Sequence, residues 1–354
     1  VNGDVERRSI AERLASKENA EESLVELHVV TMPDPQSQTS SFRVAATGEL
    51  IVDTAASLAA PAITLEDLDP KVGTAHHLLC LPADVSEDEI EALAISVWNE
   101  AGWTSPGVLH LAEGATLEGP WPLRADVRET LGLPDNCAFA WILRADVMRG
   151  APPSEPTRRF DEWAAAFPEG MPVGIEYRAL LVMRRMSRRL GAALRIAGSG
   201  TVMAPDPESA VNLRVYSPHY IDAVRFAHLL GVEPKPGATT EVGVPHVAVL
   251  GKDAEQVMAG VRPVDQVPRA LRWEDWIKGP VYIYELNWTG GATNILPNGT
   301  LSRVGRRGRS IARQGIAMVA AMIVDEVGRA AIIDEDDFLV APAELLPPEA
   351  EPHP

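Results

Sequence analysis

Two fifteen-residue stretches constrain this chain more than anything else in it. Gly191–Pro205 reads GAALRIAGSGTVMAP and Gly328–Pro342 reads GRAAIIDEDDFLVAP. Each opens on glycine and closes on Ala-Pro, and each follows a segment with helical apolar spacing. The offset from 191 to 328 is 137 residues. The same offset lays Ala179 on Ile316, Val182 on Val319, Met183 on Ala320, Met186 on Ile323 and Leu190 on Val327. Positions at i, i+3, i+4 and i+7 share one face of a helix. A glycine just past the last of them suits a left-handed cap, and short apolar runs on either side of a turn form a hairpin. Ile51–Pro61, IVDTAASLAAP, echoes the end of the second stretch. A helix–glycine–hairpin unit used twice implies an α+β fold of two similar, pseudo-duplicated subdomains, with antiparallel or mixed sheets flanked by amphipathic helices. The competing reading is coincidence, since an alanine-rich chain repeats letters easily.

Further periodicity fills in the rest. Ser9–Glu22 reads as a surface helix or arm and Leu24–Thr31 as a strand. Phe42–Ala46 and Glu49–Val52 read as a hairpin around Thr47-Gly48, and Ala75–Leu81 as a buried strand. Ser86 and Glu89 form a capping box for a helix ending near Gly102. Val108–Leu111 and Ala138–Leu143 are strands, with a short helix over Arg124–Leu131 between them. Phe160–Phe167 and Val173–Leu190 are helices. Val211–Tyr216 is a strand, and Ser217 and Pro218 open a helix that runs to Gly231. Pro245–Leu250 is a strand, Asp253–Val261 and Arg269–Ile277 are short helices, and Val281–Trp288 is a strand by its aromatic and β-branched content. Thr289–Arg309 is a basic loop and Ile311–Val327 a helix. The expected organisation is an arm at 1–23, subdomains at 24–170 and 171–343, and a disordered acidic, proline-rich tail at 344–354. The 173–190 helix and the 328–342 hairpin bridge the two subdomains.

Charge excludes some functions. The chain of 354 residues carries a formal charge of −18, with a pI near 4.9. That field opposes nucleic acid and anionic membrane. The first 23 residues are charged and lack the apolar core of a signal peptide. The longest apolar run, 316–324, is far below the ~20 residues of a membrane span. Two cysteines, Cys80 and Cys137, fit a reducing compartment, so a cytoplasmic location is expected. Lysine occurs only five times among 32 lysines and arginines, and alanine is plentiful, a composition typical of a high-GC bacterial genome.

Candidate chemistry is sparse. Arg184, Arg185, Arg188 and Arg189 form two pairs four residues apart, able to converge on a phosphate or carboxylate. The offset places Ala321, Met322, Asp325 and Glu326 opposite them, so repetition alone does not account for the arginines. The plainer reading is a solvated face in an acidic protein. Gly290-Gly291 after a strand, then Arg303, Arg306, Arg307 and Arg309, could cradle an anion, but no phosphate-loop or dinucleotide glycine pattern is present. Tyr216 and His219 at a strand end, with His246, Trp273 and Trp276, are candidate pocket residues. His76, His77, Cys80, His110 and Cys137 lack the paired spacing of a zinc site, so no metal and no cofactor is expected. The acidic run Asp334–Asp337 reads as a solvated turn. No nucleophile elbow or metalloprotease motif is present. The leading expectation is a non-catalytic binding or interaction protein with a protein partner or a small anionic ligand. The alternative is an enzyme on a phosphorylated or carboxylated substrate in an arginine-lined cleft between the repeats. A structural homodimer is a third reading.

Overall fold

A computed structural model of the chain describes residues 42–44, 50–52, 66–296 and 300–345. The expectations for Ser9–Glu22, Leu24–Thr31 and the tail beyond residue 345 lie outside them. The chain divides into two units at residue 64. In the first, β1 (Phe42–Val44) pairs antiparallel with β2 (Leu50–Val52), as the hairpin reading anticipates.

The second unit is α+β and carries two antiparallel sheets. Its first half contains α1 (Pro70–Ala75), β3 (Leu78–Leu81), α2 (Glu87–Val97), β4 (Gly102–Ser105), β5 (Val108–Ala112), β6 (Ala115–Pro122), α3 (Ala125–Leu131), β7 (Phe139–Ala145), α4 (Glu155–Phe160), α5 (Glu162–Ala165), α6 (Gly174–Arg189), β8 (Ala193–Arg195) and β9 (Val202–Met203). Its second half contains β10 (Leu213–Ser217), α7 (Ala223–Leu229), β11 (His246–Leu250), β12 (Val257–Val264), β13 (Val281–Trp288), α8 (Arg303–Val327), β14 (Ala331–Asp334), β15 (Leu339–Val340) and α9 (Pro342–Leu345).

Strand order in the first sheet is β4-β5-β6-β7-β3-β8-β9, and in the second β11-β12-β13-β10-β14-β15. Leaving out the extra edge strand β4, the two orders correspond strand for strand. In both halves a long helix, α6 or α8, precedes the closing hairpin. Gly191 and Gly328, each just past its helix, have φ of +60° and +69°. The hairpins differ in register. Leu194 faces Met203, whereas Ile332 faces Val340, one residue out of step with the 137-residue offset.

Burial explains the sequence of β3. Leu79 and Leu81 belong to the core shared with α2 and α6, while Leu78 and Cys80 belong to the core under α3, with Val127 and Leu131. A strand covered on both faces carries a continuous apolar run. The Ser86–Glu89 capping box forms as expected. Arg195 of β8 is buried and donates to Gly73 O at 2.9 Å and Leu131 O at 3.3 Å. These carbonyls lie in the last turns of α1 and α3, the electronegative ends of helices. Burial nevertheless pulls its pKa down. In the second half, Ile316, Val319, Ala320 and Ile323 of α8 pack on Val215, Val261 and Tyr284. The opposite face carries Tyr216, Leu271, Trp276 and Ile283.

Several expectations require correction. Asp253–Val261 is not a helix: only Asp253–Glu255 makes a 3-10 turn, and β12 follows. Arg269–Ile277 resolves into two 3-10 turns. α2 stops at Val97, and Gly102 opens β4. The helix after β10 starts at Ala223 with Asp222 as its cap, while Ser217 ends the strand. Phe160–Phe167 is two short helices that meet at Asp161. The basic segment before residue 309 is not all loop, since α8 begins at Arg303.

Gly305 and Gly308 made that segment look like loop. Both are buried. A Cβ on Gly308 would lie 2.3 Å from Ala254 O, and one on Gly290 would meet the same oxygen at 2.3 Å. The 3-10 turn is thus wedged between the strand end and α8, a fit that only glycine allows. Gly315, on the same helix, faces open space, and a Cβ there would meet nothing within 4 Å. In urea denaturation Gly308→Ala should therefore destabilise by roughly 1–3 kcal/mol, and Gly315→Ala should stabilise by up to about 1 kcal/mol.

Candidate functional site

The outward side of α6 carries its arginines because Ala179, Val182, Met183 and Met186 take the inward side. Facing them is the turn between β14 and β15. Asp334 Oδ1 accepts the N–H groups of Asp336 and Phe338, each at 2.9 Å, and Asp337 adopts a left-handed φ of +70°. The acidic run is consequently not a solvated turn. Phe338 is fully buried in the core of the first half, and the flanking carboxylates sit on α6. Arg188 forms a fork with Asp336, with Nε donating to Oδ2 at 2.7 Å, and its Nη1 reaches Glu335 Oε1 at 2.8 Å. Arg185 Nη1 donates to Asp337 Oδ2 at 3.3 Å, and Arg214 Nη2 donates to the other oxygen at 2.8 Å. Arg189 pairs with Glu344. Burial works against the charge of Arg188, but the bonds from Asp336 and Glu335 more than restore it.

Beside this seam lies a cavity of about 470 Å³, lined among others by Arg184, Arg185, Arg188, Glu162, Asp206 and Asp336. The guanidinium of Arg184 lies 5.5 Å over the ring of Trp163. Asp206 accepts from Glu208 N at 2.9 Å and from Arg309 Nη2 at 2.7 Å, which ties the connection between the halves to α8. Three of the five α6 arginines thus line one concave surface.

The other candidates fall elsewhere. Arg303, Arg306 and Arg307 are exposed at the start of α8, and Arg306 donates to Leu301 O at 2.7 Å. None of the three lines the cavity. Tyr216 and Trp276 are buried together, and burial raises the tyrosine pKa. His246 lies beyond the other face of that sheet, edge-on to Tyr220 and Phe226, and burial lowers its pKa. His219 binds Val327 O through Nδ1 at 2.9 Å, and Trp273 is 80% exposed under Arg272. The aromatic and histidine candidates therefore do not converge on one pocket.

His76, His77 and the cysteines also separate. Cys80 and Cys137 are buried free thiols, both with pKa raised by burial, the latter to about 11. His76 contacts Arg144 at 2.7 Å. Among the described residues no group of three histidine, cysteine or acidic side chains could hold a metal. His77 belongs instead to a buried polar cluster that periodicity gave no reason to expect. Ala197 N–H donates to His77 Nδ1 at 3.0 Å, so Nε2 carries the proton and donates to Glu176 Oε1 at 2.9 Å. The other carboxylate oxygen accepts from Met148 N at 3.0 Å and pairs with Arg149. Both imidazole nitrogens are engaged, so the cluster is built to hold α6 in place and leaves no free base. Its one sequence signal is an acidic residue at helical spacing from Ala179, Leu180 and Met183.

No family model matches the chain, and no curated protein or solved structure is detectably similar to it.

Two buried carboxylates titrate in opposite senses. Burial alone would raise the pKa of Glu176, but the bonds from His77, Arg149 and Met148 hold it at about 2. A depressed carboxylate stabilises the fold above its ordinary pKa, and that stability is lost as pH falls towards 2. Burial raises Asp334 to about 6 against the bonds from Phe338 and Asp336. Its ionisation therefore costs stability as pH rises from near 4 through 6. Glu176→Gln should flatten the acid limb of a stability profile by about 3 kcal/mol. Asp334→Asn, which keeps the accepting oxygen, should raise stability above pH 6 by roughly 1–3 kcal/mol and leave pH 4 nearly unchanged.

Proposed function

We propose that this chain is a non-catalytic binding protein, and that the cavity beside the α6–hairpin seam is its ligand cleft. One observation carries the reading: of the three carboxylates that line the cleft, Glu162, Asp206 and Asp336, two already serve as structural partners of arginine. Asp336 is held by Arg188 and Asp206 by Arg309. A general base must be within reach of the substrate proton and free to accept it. A carboxylate whose oxygens are engaged by a guanidinium is not free to take that proton. Three arginines on a concave wall still offer recognition of a charged molecule.

A second surface supports an interaction role with a protein partner. Among the described residues β11 is an edge strand whose Val247 and Val249 face solvent, and Met258, opposite Val249 on β12, is exposed as well. Unpaired sheet edges accept further strands, either from another protein or from a second copy in a homodimer. The common strand order of the two sheets supports the reading that both halves derive from one duplicated unit. Among the described residues no helix is long and apolar enough to cross a membrane. Two free, buried thiols support a reducing, cytoplasmic setting, the scarcity of lysine a bacterial source, and the charge of −18 a partner other than nucleic acid or anionic membrane.

The enzyme reading is favoured by one fact, that Glu162, a carboxylate with no cationic partner among the described residues, lines the same cavity as Arg184 and Arg185. The two readings part on turnover. A ligand found by thermal shift against nucleotides, sugar phosphates, amino acids and dicarboxylates should raise the melting temperature and be recovered unchanged by mass spectrometry after prolonged incubation. Conversion of the ligand that disappears in Glu162→Gln would establish catalysis instead.

A further inference from the structure

The cleft contains charges of both signs, and most are matched within the protein. Arg188 is taken by Asp336 and Glu335, and Asp206 by Arg309. Arg185 and Arg214 share the single carboxylate of Asp337, which leaves that trio one positive charge in excess. Arg184 has no carboxylate partner among the described residues. It lies over Trp163, an arrangement that covers the face of the guanidinium and leaves its N–H edges available. Glu162, adjacent to Trp163 in the chain, lines the same cavity, is exposed, and has no cationic partner among the described residues. Leu181, Met203, Ala204 and Pro205 supply apolar wall. The indole Nε1 of Trp163, a residue 7% exposed, has no acceptor among the described residues.

A plain anion in this space would meet Arg184 and Arg185 but also Glu162, and a plain cation would meet the reverse. Misplaced like charge weakens binding at a desolvated surface. A molecule carrying an ammonium and a carboxylate matches both unmatched groups. We infer that the cleft takes a small zwitterion with an apolar body, a free α-amino acid or a dipeptide. Its carboxylate is held by Arg184 and Arg185, and its ammonium by Glu162. The inference rests on the proposal that the cavity is a ligand site. A volume of about 470 Å³ falls in the usual range for small-molecule sites, roughly 300–1,000 Å³, and accommodates either class.

The test is calorimetric titration of the full chain with free α-amino acids and glycyl dipeptides. Each is run beside its N-acetyl form, which keeps only the carboxylate, and its amide form, which keeps only the ammonium. Inorganic phosphate and succinate complete the panel. At least one zwitterion should bind, with both capped forms weaker by about tenfold or more. Arg184→Gln and Glu162→Gln should each weaken it by a similar factor and leave the melting temperature of the free protein unchanged, because both side chains are exposed. Tighter binding of dipeptides than of amino acids would identify a peptide ligand, and the reverse order a free amino acid. Equal affinity for an N-acetyl form, or binding of phosphate or succinate alone, overturns the zwitterion and leaves a simple anion site. Zwitterion binding that is indifferent to both substitutions places the site elsewhere and overturns it as well. If no compound binds at millimolar concentration, the cleft is not a site for these ligands and the underlying proposal fails with it.

Discussion

The docking of an acidic turn on an arginine-bearing helix joins the two sheets into one body. Removing charges from water costs several kcal/mol per ion, and the mutual attraction repays this only when geometry and further hydrogen bonds are favourable. Here the requirement is met by redundancy. Arg188 meets two carboxylates, Asp337 meets two arginines, and Glu335 also accepts from Asn212 Nδ2 at 2.9 Å. Phe338 adds an apolar anchor in the opposite half. The turn itself is shaped by Asp334, a carboxylate that accepts two backbone N–H groups and whose pKa is raised by its burial against those bonds.

The same docking explains how a strongly acidic protein can carry four clustered arginines without advertising a polyanion site. The arginines of α6 are largely answered from within the chain, and what remains available is a small remainder at the rim: Arg184, Glu162 and the open side of Arg185. Recognition then depends on a local mismatch of a few charges inside a large negative field, and such a mismatch selects for shape and charge pattern together.

Much of the fold was legible in the sequence where one period dominated. The stripes of α6 and α8, the capping box at Ser86 and the aromatic run of β13 left little choice. β12 was not legible, because Ala254, Val257, Met258 and Val261 satisfy helical spacing while Val257, Ala259 and Val261 satisfy the period of a strand. Pairing with β11 on one side and β13 on the other decides the matter, and neither partner is local. The start of α8 was hidden by glycines whose purpose is contact with Ala254. The site was only half legible. The arginine spacing marked a real wall of the cleft, but its acidic partners lie about 150 residues away in the chain, and a run of charge at a turn resembles any solvated turn. Glu176 was visible only as an acid on an apolar stripe, with nothing to announce His77.

The sheets end unequally. The flanks that meet the seam close with β9 and β15, strands of two residues each, too short to template a neighbour. The opposite flanks end in β4 and β11, which are longer and, among the described residues, have no strand beyond them. Lateral growth of this molecule is therefore polar: additional β-structure, native or pathological, can be recruited on the far sides alone, and the valines of β11 mark the more adhesive of the two.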